Sequence, residues 1–393
     1  MDSQPRYPRL FQPPRNSFFL FGVRGSGKST WAQQQFPKAP VFDLLDEELH
    51  HSLMLDPGRF AAELRTFPRG TWVIVDEVQR IPSLLNEVHR HLEQAGLRFV
   101  LLGSSARKLK LAGTNLLAGR ALQKTLYPFT PEELGTDFQL DEVLQYGSVP
   151  LVWQSDTKAE TLQSYVQLYL REEIRAESLV RNLPGFTRFL PTAALFHGQT
   201  LNVQGLARDA GVARTTVHGY LEILDDTLLT FRLPPFESKL RVRERKHSKL
   251  YWVDPGIVRA VKRQLGPVGA EERGALLEGW IAVLLRVYAE YRGLYEECFY
   301  WSPTDSHATE VDFLLRRGHE YLALEVKATK NLASPHFSGL RAIANLKGLS
   351  RRLLVYTGTR TLKSEDGIDV YPVETFLRAL AEGTLWGEET AAR

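Results

Sequence analysis

Gly22-Val-Arg-Gly-Ser-Gly-Lys28-Ser29 satisfies the pattern GxxxxGK[ST] in full. Residues of those types at that spacing suit phosphate binding. Glycines let the backbone wrap a phosphate with its N–H groups inward, Lys28 reaches the β- and γ-phosphates, and Ser29 offers a hydroxyl to Mg²⁺. The stretch presents Gly22, Arg24, Gly25, Ser26, Gly27, Lys28, Ser29 and Thr30 to ATP. Further on, Trp72-Val-Ile-Val-Asp76-Glu77 is an apolar run ending in two carboxylates. Asp76 is placed to hold Mg²⁺ through water, and Glu77 to polarise the attacking water. The run Arg98–Leu102 leads into Gly103-Ser104-Ser105. Ser104 or Ser105 orients the water or the γ-phosphate there, unless the serine serves as a helix cap. Leu117-Ala-Gly-Arg120 supplies a guanidinium that either reaches a neighbouring subunit's γ-phosphate or makes a surface ion pair.

A second group of chemistry-bearing residues is C-terminal. Glu278 lies in a predicted helix, Ala270–Tyr291, one turn before Ile281 and Ala282 and so on the apolar side. Glu310-Val-Asp312-Phe-Leu-Leu315 and Tyr321-Leu-Ala-Leu-Glu325-Val-Lys327 read as strands joined by a turn over Arg316–His319. Period-two alternation puts Glu310 with Asp312 on one face, and Glu325 with Lys327 on one face. A tight hairpin brings Asp312 near Glu325. With Glu278 reaching over from the helix, three carboxylates and a lysine converge. That is apparatus for metal-assisted phosphodiester hydrolysis: Asp312 and Glu325 bind Mg²⁺, and Lys327 orients or deprotonates the water. Glu325 and Lys327 by themselves equally fit an exposed charged strand face.

The elements that must position these groups follow from periodicity. Phe18–Phe21, Thr71–Val75 and Arg98–Leu102 are short apolar runs that read as buried strands, with helices over Thr30–Phe36, Pro57–Phe67 and Leu84–Gln94 between them. Strands alternating with helices predict a parallel α/β sheet. Residues 131–184 read as helical, including Val166–Leu179. Leu201–Leu224 has helix-turn-helix grammar: Gly211 supplies the turn, and Val217, Leu221 and Leu224 form a core stripe. Arg214, Thr215, Thr216 and His218 then point outward, where a recognition helix meets DNA. Thr227–Leu233 reads as a strand. In Lys239-Leu-Arg241-Val-Arg243-Glu-Arg245, alternation gathers a basic stripe that suits a phosphate backbone or simply protects a charged edge. Phe299–Trp301 and Arg352–Tyr356 read as further strands, and His336–Asn345 as a helix.

Length and composition narrow the choice. The 393 residues suffice for two to four domains, at roughly 100–200 residues each. With 43% hydrophobic and 24% charged residues, the chain is expected to fold. One cysteine, Cys298, excludes a disulfide framework and a multi-cysteine zinc site. Cys298 itself reads as a core thiol. The net charge of +3 permits a nucleic-acid partner without requiring one. The Pro- and Arg-rich start lacks a signal-peptide core, and no apolar run approaches a membrane span, so a cytoplasmic address is expected. His50-His51 and His89-x-His91 read as solvated helix histidines with no third metal ligand nearby. No Gly-x-Ser-x-Gly elbow appears.

The loop at Gly22–Ser29, Asp76-Glu77, Gly103-Ser104-Ser105, Gly119-Arg120, Tyr146-Gly-Ser-Val-Pro150 and Tyr251-Trp-Val-Asp-Pro-Gly256 together resemble a prokaryotic family of AAA+ ATPases. Its members carry a winged-helix segment and a C-terminal domain of unknown function. The ordered set Glu278, Asp312, Glu325 and Lys327 resembles the restriction-endonuclease-like nuclease superfamily. The resemblance implies an α/β protein divided into a Pro-rich arm (1–16), an AAA+ core (17–130), a helical lid (131–184), a winged helix (185–249) and a nuclease-like domain (250–393). It further implies an ATPase that works as a homo-oligomer such as a hexameric ring. With the loop, helix-turn-helix and carboxylate readings above, ATP and Mg²⁺ are the expected cofactors and duplex or branched DNA the expected partner, and the short apolar runs lead to an expectation of no membrane. The sensor position, Asn in many AAA+ proteins, is Ser here. A nuclease-like domain of this kind either cleaves DNA or keeps the fold for binding alone.

Overall fold

Strand β1 (Phe18–Phe21) is buried at all four positions, as an apolar run must be when both faces of a parallel sheet are covered. The computed structural model describes residues 7–105, 107, 109, 116–169, 182–236, 247–303 and 309–387. The chain forms two units. The first comprises Met1–Phe129, Val149–Arg181 and Leu221–Leu229, and the second comprises Thr130–Ser148, Asn182–Tyr220 and Thr230–Arg393.

The first unit is built on five strands: β1, β2 (Val41–Asp43), β3 (Trp72–Asp76), β4 (Arg98–Gly103) and β5 (Leu122–Thr125). They lie in the order β2-β3-β4-β1-β5, every neighbouring pair parallel. Helix α1 (Lys28–Gln35) follows β1, and α2 (Leu84–Gln94) connects β3 to β4. α2 buries Leu84, Leu85, Val88 and His91. The expected strands are present, together with two the apolar runs did not signal. β2 exposes two of its three residues, and β5 has no buried position. In a parallel sheet all carboxyl ends share one edge. The loop after β1, Asp76 at the end of β3 and Ser104 after β4 therefore emerge together.

In the second unit, α3 (Leu183–Leu195) and α4 (Val203–Ala210) precede α5 (Arg214–Asp226), whose first seven residues belong to this unit. Asn202 caps α4 by accepting from Gly205 N at 2.9 Å, and Gly211 turns the chain at φ 64°. The strands β6 (Gln199–Thr200), β7 (Thr230–Leu233) and β8 (Lys249–Trp252) form a small sheet with β8 in the centre, antiparallel to both neighbours. β7 starts three residues later than expected. Thr227 directly follows α5, and its hydroxyl donates to the Ile223 and Leu224 carbonyls. The basic stripe Lys239, Arg241, Arg243 and Arg245 lies outside the described residues, as does the expected helix Val166–Leu179 beyond residue 169.

The rest of the second unit holds α6 (Pro255–Val261), α7 (Ala270–Arg292) and a six-stranded mixed sheet. Its strands are β9 (Glu297–Trp301), β10 (Val311–Arg317), β11 (Glu320–Lys327), β12 (Leu349–Tyr356), β13 (Leu362–Lys363) and β14 (Asp369–Pro372). The order is β13-β14-β12-β11-β10-β9. β10 and β11 form the expected hairpin, pairing Phe313 with Leu324. The strands extend further than expected, so the turn shrinks to Gly318-His319, with Gly318 at φ 58°. In place of a helix over 336–345 there is a 3₁₀ turn, Ser334–Phe337, and a short helix, Ser338–Ala342. There Gly339 passes so close to the Glu310 carbonyl that a Cβ would collide with it. No helix among the described residues is long and apolar enough to cross a membrane.

Candidate functional site

Helix α1 opens directly out of the glycine loop. Gly27 sits at φ 84°, a conformation that costs a residue with a Cβ energy. At Gly22 the limit is space, since a Cβ would lie 2.5 Å from the Leu126 carbonyl oxygen. Lys28 is buried, and its Nζ donates to the Gly22 carbonyl at 2.8 Å and to the Val23 carbonyl at 3.3 Å. The ammonium thus lies within the turn that phosphate would enter. Ser26 Oγ is buried there with no hydrogen-bond partner. Arg24 and Thr30 are exposed at the loop's outer side. The loop is braced from behind. Arg9 donates to the Ser26 carbonyl at 3.0 Å, Leu151 N to the Gly25 carbonyl at 3.1 Å, and Tyr165 Oη to the Arg24 carbonyl at 3.1 Å.

Asp76 is buried at the tip of β3, where burial pushes its carboxyl up and the Ser29 hydroxyl beside it opposes the shift. Ser29 and Asp76 are thus adjacent, as one Mg²⁺ requires. Glu77 follows at φ 55°, a left-handed conformation uncommon for a non-glycine residue and often found at functional positions. Gln79, also buried, donates from Nε2 both to Glu77 Oε2 and to Ser104 Oγ, the latter at 3.2 Å. Ser105 is used differently: its Oγ accepts from Arg107 N at 3.0 Å. Of the two serines, Ser104 is the one linked to Glu77. Within the chain, Arg120 pairs with Glu93 at 2.6 Å on an exposed surface. The donor set, the unpartnered Ser26 hydroxyl and the buried Lys28 fit a magnesium–nucleotide complex.

The second unit holds an acidic cluster. Asp312 and Glu325 are both buried and face each other across the hairpin, with Asp312 Oδ2 accepting from Val326 N at 2.8 Å. The pairing of β9 with β10 shifts register between Val311 and Leu314, the stretch that holds Asp312. Lys327 Nζ lies 2.5 Å from Glu325 Oε1, and Glu325 Oε2 has no partner. Glu278 comes in from α7, but its Oε1 accepts from Lys249 Nζ at 3.0 Å and from Tyr251 Oη at 2.6 Å. Lys249 also lies 3.1 Å from Glu310 Oε1 and 3.6 Å from Asp312 Oδ1. Burial, with Asp312 next, pushes Glu278 up to about 7 and Glu325 up to about 8. Burial opposes the charge on Lys249, yet the three carboxylates outweigh it and hold the amine firmly protonated. The four expected residues therefore come together. The side of the cluster formed by Glu278 and Asp312, however, already faces a cation, and as arranged it does not fit a divalent metal held by three carboxylates.

Residues 14–135 match the family model of an AAA domain. Residues 137–267 and 273–376 match two domains of unknown function, DUF8612 and DUF4143. An uncharacterised protein of Mycobacterium tuberculosis is 26% identical over 370 residues, spanning 91% of this chain and 80% of its own. An uncharacterised protein of Methanocaldococcus jannaschii is 22% identical over 387 residues, spanning 84% and 79%. Among solved structures, the Aeropyrum pernix ORC1 protein in complex with DNA aligns at 14% identity over 64% of this chain and 87% of that one, with a TM-score of 0.26. Replication initiator DnaA bound to AMPPCP and single-stranded DNA aligns at 14% identity over 53% and 82%, with a TM-score of 0.27. The family match at residues 14–135 makes the N-terminal part an AAA P-loop domain on a parallel five-stranded sheet, followed by a helical region and a C-terminal mixed sheet.

Four residues of these sites were not singled out from the sequence. Gln79 follows the Asp-Glu pair by two positions, and only the 3₁₀ turn at Val78–Arg80 brings its amide back to Glu77. Lys249 and Tyr251 alternate along one strand, a period-two signal that was open to reading. Glu47 is the fourth. It lies one turn before His50 and His51, and ligand atoms of the three fall within 4.8 Å of one another. The expectation of no third ligand near these histidines is corrected accordingly: helical spacing of three and four puts all of them on one face. Glu47 is already engaged there by Arg80 at 3.0 Å. On α5, Val217, Leu221 and Leu224 are buried while Arg214, Thr215 and His218 are exposed.

Proposed function

We propose that the protein is an ATP-dependent DNA-processing ATPase that acts on duplex or branched DNA by remodelling, translocation or branch migration. The observation that carries the hydrolytic part is the meeting of Lys28, Ser29, Asp76, Glu77 and Ser104 at one edge of a parallel sheet. Bound Mg²⁺ would be held by Ser29 and Asp76 and would neutralise phosphate charge. The loop N–H groups and Lys28 bind the phosphates. Glu77 accepts the proton of the attacking water, and Ser104 helps to hold that water in place. Arg120 acts on the nucleotide of a neighbouring copy in a ring-shaped homo-oligomer.

The DNA part rests on two features. Arg214, Thr215 and His218 form an exposed polar face at the start of α5, within a winged-helix arrangement of α3 to α5 with β6 to β8. The second is the nuclease-like order of Glu278, Asp312, Glu325 and Lys327. We assign the nuclease-like sheet to DNA engagement and route no cleavage step through it, because Lys249 already occupies the face between Glu278 and Asp312. A nucleotide-dependent assembly switch is the competing reading, and duplex DNA separates the two. ATP turnover by the full chain is expected to rise with duplex or four-way DNA and to fall about 100-fold or more in Lys28→Ala. Turnover indifferent to every DNA form, with no DNA binding at low salt, would sink the DNA reading and leave the switch.

A further inference from the structure

Lys249 is the least expected member of the acidic cluster. It is 1% exposed, yet it carries a full charge on a long flexible stem. A buried ammonium persists only when carboxylates surround it, and three do: Glu278, Glu310 and Asp312, at 3.0, 3.1 and 3.6 Å. The ring of Tyr300, with its centroid 5.7 Å away, adds a π face. The backbone of Lys249 is pinned as well. β8 is the middle strand of its sheet, and Lys249 pairs with Thr200 on one side and Leu233 on the other. An ammonium on a fixed central strand is not a mobile arm, and at this burial it does not reach a DNA phosphate.

We propose that Lys249 is the resident cation of this cluster, an internal ammonium standing where a phosphodiester-cleaving site of this shape would hold a divalent metal. Glu278, the carboxylate that α7 contributes, is committed to Lys249 and Tyr251 rather than to a metal. Lys327 neutralises Glu325 on the other side. A divalent ion bound between Glu278 and Asp312 would sit against a positive charge in a poorly solvated place, where Coulomb repulsion is strong. The acidic cluster is therefore a lysine-closed site that serves the nuclease-like sheet as structure. This deepens the non-cleaving assignment of that sheet.

The test is Mn²⁺ binding, followed by electron paramagnetic resonance on the full chain without nucleotide or DNA, together with thermal melting. Wild type and Asp312→Asn are expected to bind Mn²⁺ equally. Lys249→Met should melt lower than wild type and be raised again by Mn²⁺. It should also bind Mn²⁺ at least about tenfold more tightly than Lys249→Met/Asp312→Asn, since removing the ammonium frees the carboxylates. Mn²⁺ binding by wild type that disappears in Asp312→Asn would overturn the proposal. So would a Lys249→Met chain whose melting does not respond to Mn²⁺. Neither outcome touches the ATPase reading, which Lys28→Ala tests separately.

Discussion

The amide of Gln79 reaches both Glu77 and Ser104. In the proposed reaction Glu77 accepts a proton from water, so its orientation sets the rate more than the affinity for ATP. Gln79→Ala should lower kcat about 10- to 100-fold and change KM for ATP by less than about threefold. Steady-state ATPase kinetics checks this, and a raised KM at unchanged kcat would make Gln79 a binding residue instead. The sequence was open to reading at Asp76 and Glu77, because two carboxylates after an apolar run near a phosphate loop form a pattern. It was closed at Gln79, whose role depends on a 3₁₀ turn folding its amide back. The choice between Ser104 and Ser105 likewise depended on contact, since both follow β4 within two residues.

At the scale of elements, α7 packs closely over His197 because Gly279 has no side chain. A Cβ on Gly279 would lie 2.1 Å from His197 Nε2. His197 is buried, and its Nδ1 accepts from Trp252 N at 3.1 Å, tying the end of α3 to β8. Gly279→Ala should therefore destabilise the chain by about 2 kcal/mol or more, as overpacking does where neither side can yield. Denaturant unfolding measures it. The same histidine makes stability depend on acid. Burial, with Lys262 adding to it and the Ala275 carbonyl opposing it, lowers His197 to about 3. The folded ring stays neutral while the unfolded ring takes up a proton below its ordinary value of about 6.5. Its contribution is complete above that value and is lost as pH falls toward 3, by up to about 5 kcal/mol. Replacing His197 with Gln should flatten this part of the pH–stability curve; an equally steep curve would refute the assignment. α7 itself was legible almost to the residue from its apolar periodicity. The short strands β2 and β5 were not, because edge positions with exposed side chains carry no apolar run.

For the whole molecule the question is whether catalysis needs a second copy. Arg120 and Glu93 are each about half exposed where they pair, and such an ion pair contributes about 1 kcal/mol at most. Exchange of Arg120 from Glu93 to a neighbour's phosphate is therefore cheap. Arg120→Ala and Lys28→Ala should each be inactive alone while Arg120→Ala still binds ATP. Mixed in equal amounts, they should recover about a quarter of wild-type turnover, the chance that an intact Lys28 copy adjoins an intact Arg120 copy. No recovery would place the action of Arg120 inside its own chain or remove it from the reaction.

By itself the sequence determined the glycine loop with Lys28 and Ser29, the acidic end of β3, the parallel α/β pattern of the first unit and the hairpin that sets Asp312 against Glu325. Each is a local matter: spacing, alternation and turn chemistry act over a few residues, and one chain segment contains the whole signal. The tertiary structure alone decided which charges meet. Lys249 stands 29 residues from Glu278 and 61 from Glu310 along the chain. Only the packing of β8, α7 and the six-stranded sheet against one another turns that separation into a shared site, because burial forces every buried charge to find its partner, however distant in sequence.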